Sequence, residues 1–123
     1  MSEQADILIL DRKARPDELA AMLETFFEHM IKYVVDVRRE VVAIGGELHA
    51  DAEQLLLESG SSQSDLWGAN YLPGEGAEEC IEYTALINIR PSQNNRSMDV
   101  CDPEIRDAIR RLTFKLIGEG EAL

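Results

Sequence analysis

The sequence predicts an α+β fold, a two-layer sandwich in which three helices cover one face of a mixed, mostly antiparallel sheet. Apolar residues recur at helical spacing in three separate segments. Short runs rich in β-branched and aromatic residues lie between those segments and predict strands. The connections between these runs are short, which favours antiparallel neighbours. The predicted element order is β-α-β-β-α-β-β-α.

The first elements are a strand, a helix and a hairpin. The apolar run at residues 7–10 predicts the strand. Pro16, which two acids follow, marks the start of a helix over residues 16–29. Two runs rich in β-branched residues, 31–37 and 41–44, predict the hairpin.

The remaining elements are a short helix, a second hairpin and a long helix. Asp51, with Gln54 three residues later, predicts an N-cap and a capping box for the short helix. The second hairpin has strands over residues 66–72 and 80–90, joined by a turn that contains proline and glycine. The cap, proline and acid at residues 102–104 start the last helix, which carries a clean apolar stripe.

The composition is that of a globular domain without affinity for polyanions. A chain of 123 residues, with 45% hydrophobic and 29% charged residues, has the size and composition of one domain. We therefore expect residues 1–123 to form a single domain with a frayed tail at 119–123. Acids outnumber bases 24 to 12, and the net charge of -12 repels phosphates and anionic lipids. We expect neither a nucleic acid nor a membrane as a partner.

The cysteines and the N-terminus indicate a cytoplasmic protein. Cys80 and Cys101 lack the C-x-x-C spacing of a redox or zinc motif. The N-terminus has an acidic flank and a four-residue apolar run, unlike a signal peptide or a transmembrane segment. We therefore expect both thiols to stay free in a reducing compartment.

Two sequence blocks resemble a family of small prokaryotic single-domain proteins of unknown function. The first block is GGELHADAE at residues 45–53, and the second is INIRPSQNNRS at residues 87–97. A shorter block, DLWGAN at residues 65–70, belongs to the same resemblance. The resemblance spans residues 19–117 and implies a single domain of prokaryotic type. It implies no activity, and the cofactor stays unknown.

The first candidate site is the segment 45–53. Glu47 and His49 alternate with apolar residues, and carboxylates with an imidazole suit zinc or manganese. One interpretation is therefore a metal-assisted hydrolase that uses Glu47 and His49. The other is structural, with acids that favour a helix start and a histidine that hydrogen-bonds locally. Likewise, Gly45 and Gly46 either bring backbone amides to an anion or form a bend that needs positive φ.

The second candidate site is the polar segment 88–97. Asn88 and Arg90 share a face of the predicted last strand, and a loop of neutral donors with a second arginine, Arg96, follows. The donor fork of arginine suits a carboxylate or a phosphate, so a small polar or anionic ligand is one interpretation. The alternative is a solvated loop in which Arg90 pairs with an acid such as Glu82 across the sheet.

The leading hypothesis is a domain that binds a small polar or anionic ligand between these two segments. The predicted ligand-binding residues are Gly45, Gly46, Glu47, His49, Asn88, Arg90, Ser92, Asn95 and Arg96. The metal-assisted hydrolase is the second hypothesis. The third is an interaction module whose exposed strand edges pair with another copy, as a homodimer, or with another protein. On the sequence alone, all three stay open.

Overall fold

A computed structural model describes residues 6–123 as a five-stranded antiparallel sheet with three helices. The strand order in the sheet is β1-β3-β2-β4-β5. The elements are β1 (Leu8–Leu10), α1 (Pro16–Thr25), β2 (Ile31–Asp36), β3 (Val41–Ile44), α2 (His49–Glu58), β4 (Leu66–Tyr71), β5 (Ile81–Glu82) and α3 (Pro103–Leu116). The predicted α+β class, the three helices and the element order are confirmed.

The helices cover both faces of the sheet, whereas the sequence predicts that all three cover one face. On β2, Tyr33 and Val35 point into a core shared with α1 and α3, while Val34 points into a second core with α2. Every residue of β3 and β4 is buried. Strands that are apolar or small on both faces need cover on both faces, and this favours helices on either side.

The first helix is shorter than predicted. It ends at Thr25 rather than at residue 29, and Phe26 occupies its C-terminal cap. The residues after Phe26 connect α1 to β2, which starts at Ile31 and is the central strand of the sheet. β2 also contacts α3 through a buried hydrogen bond of 2.6 Å between the hydroxyl groups of Tyr33 and Thr113.

The second helix starts earlier than predicted. It begins at His49 with Leu48 as its N-cap, so the prediction that Asp51 is the cap is wrong. Leu48 has the extended backbone of a cap residue (φ -124°, ψ 138°), and its carbonyl already accepts a hydrogen bond from the Asp51 amide at 3.1 Å. Asp51 lies in the first turn instead, where the helix dipole favours an acid.

The predicted strand over residues 80–90 is wrong beyond Glu82. After that residue the chain leaves the sheet and forms two short 3-10 turns, Leu86–Asn88 and Pro91–Gln93. The side chain of Asn88 takes the place of the missing strand. It accepts a hydrogen bond from the Gly68 amide at 2.8 Å and donates one to the Gly68 carbonyl at 2.9 Å. The edge of β4 is therefore satisfied without a neighbouring strand.

The C-terminal tail, predicted to fray, makes hydrogen bonds with the body of the protein. The Gly120 amide donates to the Tyr71 hydroxyl at 2.8 Å, and the Gly120 carbonyl accepts from the amides of Gly74 and Gly76. None of the helices in residues 6–123 has the length and the apolarity that crossing a bilayer requires.

Candidate functional site

A cavity of about 420 Å³ opens where the first turn of α2 meets the outer edge of β4; we call it the α2–β4 cavity. Most of its wall is apolar and comes from Met30, Leu48, Ala50, Ala85, Leu86, Ile87 and Met98. Its polar lining residues are Lys32, His49, Asn70 and Thr84. The 3-10 turn after β5 forms the wall opposite α2, so the early end of β5 is what makes room for the cavity.

Exposed apolar side chains surround the cavity. Leu48 is 58% exposed, Leu86 is 71% exposed and Met98 is 41% exposed, and all three line it. Within the described chain, the other exposed large hydrophobic residues are Ile9, Ile89 and Leu123. A contiguous group of exposed apolar side chains is typical of a binding site, because folding alone would bury them.

His49 is held at the cavity by the backbone of β4. Its Nε2 donates to the Ala69 carbonyl at 2.8 Å, because a carbonyl can only accept. The other ring nitrogen, Nδ1, is therefore the unprotonated one in the neutral ring and can accept a hydrogen bond. Gly68 makes the close approach feasible, since a Cβ there would lie 3.1 Å from His49 Cδ2 and 2.6 Å from the Ala85 Cβ.

The environment of His49 favours the neutral imidazole. Burial lowers the pKa of His49, and the positive charge of Lys32 acts in the same direction. The hydrogen bond to Ala69 and the neighbouring Asn70 carboxamide oppose these effects without cancelling them. At neutral pH the ring therefore presents an acceptor rather than a charge.

Asn70 and Lys32 lie side by side on neighbouring strands. They are register partners of β4 and β2, so their side chains share the face that carries α2. Asn70 is only 9% exposed, and its Nδ2 donates to Glu82 at 3.2 Å. Its Oδ1 is buried and has no hydrogen-bond partner among the described residues. The Lys32 Nζ donates to the Glu47 carbonyl at 2.8 Å and lies 4.9 Å from the centre of the Phe27 ring.

Two of the three asparagines of the segment 88–97, Asn88 and Asn95, use their side chains to hold the backbone in place. Asn88 is fully buried, and its amide also donates to the Met98 carbonyl in addition to its two bonds with Gly68. Asn95 is 3% exposed; its Oδ1 accepts from the Cys101 amide, and its Nδ2 contacts three backbone carbonyls. Both carboxamides are therefore already used to shape the loop.

Arg90, the predicted anion ligand, has structural partners instead. It is 8% exposed and donates to the carbonyls of Gln63, Leu66 and Ile87. Its guanidinium also lies 3.6 Å from the Glu53 carboxylate and 4.7 Å from the centre of the Trp67 ring. Burial lowers the pKa of Arg90, and Glu53 opposes that shift. The guanidinium donors are therefore used by carbonyls of β4, of the turn before it and of the 3-10 turn after β5, and anion binding by Arg90 stays a prediction.

The other predicted site residues lie outside the cavity lining. Ser92 and Arg96 are exposed on the 88–97 loop. Gly45 and Gly46 have φ of 102° and 94°, which favours the interpretation of a bend. Glu47 is exposed, and its contribution near the cavity is the backbone carbonyl that holds Lys32. Residues 6–123 contain no cluster of three or more His, Cys, Asp or Glu side chains that could hold a metal ion.

A family model described as "Protein of unknown function (DUF5674)" matches residues 8–116. The chain belongs to this family. The resemblance seen in the two sequence blocks is thereby confirmed as a family of unknown function. No curated protein and no solved structure matches the chain.

In this DUF5674 protein, sequence reasoning found one of the four polar residues at the cavity. His49 was predicted; Lys32, Asn70 and Thr84 were missed. A signal for two of them is visible in retrospect, because Lys32 and Asn70 each interrupt a run of apolar and aromatic residues within a strand. The pairing of these two strands, which brings the residues together, has no local signature.

Proposed function

We propose that this DUF5674 protein binds a small molecule with an apolar body and a hydrogen-bonding head in the α2–β4 cavity. The cavity volume, about 420 Å³, falls in the range of ligand sites, roughly 300–1,000 Å³. The observation that carries the proposal is the arrangement of three exposed apolar side chains, Leu48, Leu86 and Met98, around polar groups that are partly or fully buried. An apolar body that covers them gains about 0.8 kcal/mol for each methylene removed from water.

The polar groups specify where the head of the ligand lies. His49 Nδ1 and Asn70 Oδ1 are acceptors, and Lys32 is a donor. A head placed among them has to donate at least one hydrogen bond. The proposal keeps His49 from the predicted site and replaces the arginines of the 88–97 loop by the neighbouring segment 84–87, because the donors of Arg90 already have partners.

The test is the binding of N-phenyl-1-naphthylamine, a neutral fluorescent probe with an apolar body and one N–H donor. We expect its fluorescence to rise with the wild-type protein. Ala50→Trp places a large side chain at the cavity mouth on an exposed helical position. We expect this variant to bind the probe at least about tenfold more weakly than the wild type. Gln54→Trp, on the same helix outside the cavity, is the matched control and should bind like wild type.

Two results would contradict the proposal. The first is a wild-type protein that does not bind the probe. The second is equal binding by Ala50→Trp and Gln54→Trp, which would place the probe elsewhere on the surface.

A further inference from the structure

The first turn of α2 has unused hydrogen-bond donors at the wall of the cavity. A helix leaves its first amide groups without acceptors inside the helix. Here the N-cap is Leu48, whose side chain cannot accept, and the amides of His49 and Ala50 have no acceptor within residues 6–123. All three residues line the cavity. The positive end of the helix dipole therefore faces the space where the ligand head would lie.

Lys32 adds a positive charge to the same wall. Among the described residues, it is the only formally charged side chain that lines the cavity of a chain with a net charge of -12. One of its three N–H donors is used by the Glu47 carbonyl, which fixes the ammonium group and leaves two donors. Lys32 and the first turn of α2 together favour an anion in the cavity.

Asn70 points independently to a ligand. A buried acceptor without a partner is unfavourable in a folded protein, and Asn70 Oδ1 is such an acceptor at the cavity wall. Its Nδ2 donates to the exposed Glu82 at 3.2 Å, and its carboxamide also interacts with the His49 ring. Since the terminal torsion of asparagine is soft, a small rotation turns Oδ1 towards an incoming donor.

We infer that the ligand is a carboxylic acid with an apolar side chain and a hydroxyl or amino group on the carbon next to the carboxylate. This inference rests on the proposed function. The carboxylate would contact the α2 amides and Lys32, and the adjacent donor would contact Asn70 Oδ1. The apolar side chain would lie among Leu86, Ile87 and Met98. This combination satisfies the unused donors of α2 together with the unused acceptor of Asn70.

Four probes with one carbon skeleton test the inference by calorimetric titration of the full chain. They are L-leucine, 2-hydroxy-4-methylpentanoate, 4-methylpentanoate and 4-methylpentanamide. We expect 4-methylpentanoate to bind about tenfold more tightly than the amide, since the N-terminus of α2 and the ammonium group of Lys32 both favour an anion. L-leucine or the hydroxy acid should bind more tightly again, and the tighter of the two identifies the donor as ammonium or hydroxyl.

Two variants locate the carboxylate. Leu48→Asp places a carboxylate at the N-cap, where it competes for the same amides, and should weaken the binding of the acids at least tenfold. It should weaken the binding of 4-methylpentanamide no more than Leu48→Ala does, because both variants lose the same apolar side chain from the cavity. Leu48→Ala is the control for the lost apolar side chain. Lys32→Met should lower the affinity for the acids, while Lys13→Met, far from the cavity, should not.

The outcomes separate this inference from the proposed function. If N-phenyl-1-naphthylamine binds and 4-methylpentanamide equals the acids, the cavity is a binding site and the carboxylate inference is overturned. If 4-methylpentanoate equals both substituted acids, the assignment of Asn70 is overturned. If neither the fluorescent probe nor any acid binds, the proposed function fails as well. A loss of acid binding in Leu48→Asp that exceeds the loss in Leu48→Ala at least tenfold supports the inference, and equal losses overturn it.

Discussion

The 88–97 loop and the α2–β4 cavity both concentrate polar side chains, but they use them in opposite ways. In the loop, Asn88 and Asn95 are buried and each spends both ends of its carboxamide on backbone groups. In the cavity, Asn70 is almost as buried and has an acceptor without a partner. Polar composition therefore does not distinguish a structural loop from a binding site. The difference lies in which hydrogen bonds are left unmade.

The largest effect on stability should come from Arg90, with Arg96 of the same loop as its control. Arg90→Met leaves the partly buried Glu53 carboxylate without its positive partner and several backbone carbonyls without their donor, and we expect it to lower the free energy of unfolding by about 3–5 kcal/mol. Arg96→Met changes an exposed side chain and should shift it by less than about 0.5 kcal/mol. Urea denaturation of both variants measures the difference. Equal effects would refute the structural role of Arg90.

The second comparison uses one substitution at two buried asparagines. Asn88→Leu removes the partner of both backbone groups of Gly68 and should cost about 2–4 kcal/mol, at about 1–3 kcal/mol for each buried group left unsatisfied. Asn70→Leu loses one long hydrogen bond and removes an unpaired acceptor, so we expect a change within about 1 kcal/mol. A large loss at Asn70 would show that its Oδ1 has a partner in solution.

A smaller effect of opposite sign is expected at the start of α2. Leu48→Asp supplies the acceptor that the N-cap lacks and should raise the free energy of unfolding by about 1 kcal/mol. Leu48 is largely exposed, so little apolar burial is lost. Leu48→Ala should show no gain. If the aspartate does not stabilise the protein, the first-turn amides already have an acceptor.

The smallest effect concerns pH. Because burial lowers the pKa of His49 in the folded protein, the unfolded chain binds more protons as the pH falls through about 6.5, the ordinary value for histidine. The contribution of neutral His49 to stability is therefore present above that pH and is lost below it. Comparing wild type with His49→Gln at pH 7.5 and 5.5 isolates this loss.

The exposed histidine is the control for the pH experiment. The side chain of His29 is 92% exposed, so His29→Gln should leave the pH dependence of wild type unchanged. A pH dependence that persists in His49→Gln and disappears in His29→Gln would contradict the assignment.

Sequence signals that act within a few residues predicted the helices and strands to which they belong. The errors in the predicted secondary structure arise where contacts between distant residues decide the conformation. The cap and proline at the start of α3 were read correctly, because Asp102 does accept a hydrogen bond from the Glu104 amide at 2.9 Å. The alternation of apolar residues up to Ile89 predicted a strand, whereas the chain folds into 3-10 turns. The deciding contact, between Asn88 and Gly68, spans twenty residues and leaves no periodic trace.

The same distinction applies to the candidate site. His49 was found because a histidine between acids is conspicuous in a sequence. Lys32 and Asn70 were missed because they become neighbours only when β2 pairs with β4. The exposed apolar residues around them were not predicted, since a leucine in a sequence does not reveal whether the fold will bury it.

The sealing of β4 by side chains has a consequence for solubility. At Leu66 and Gly68 the outer edge of this strand is covered by Arg90 and Asn88 rather than by another strand. Such a cover can be withdrawn by opening one loop, without disturbing the sheet itself. An uncovered edge is a template for pairing with a second chain. By covering this edge, Arg90 and Asn88 therefore also prevent β4 from pairing with a strand of a second chain.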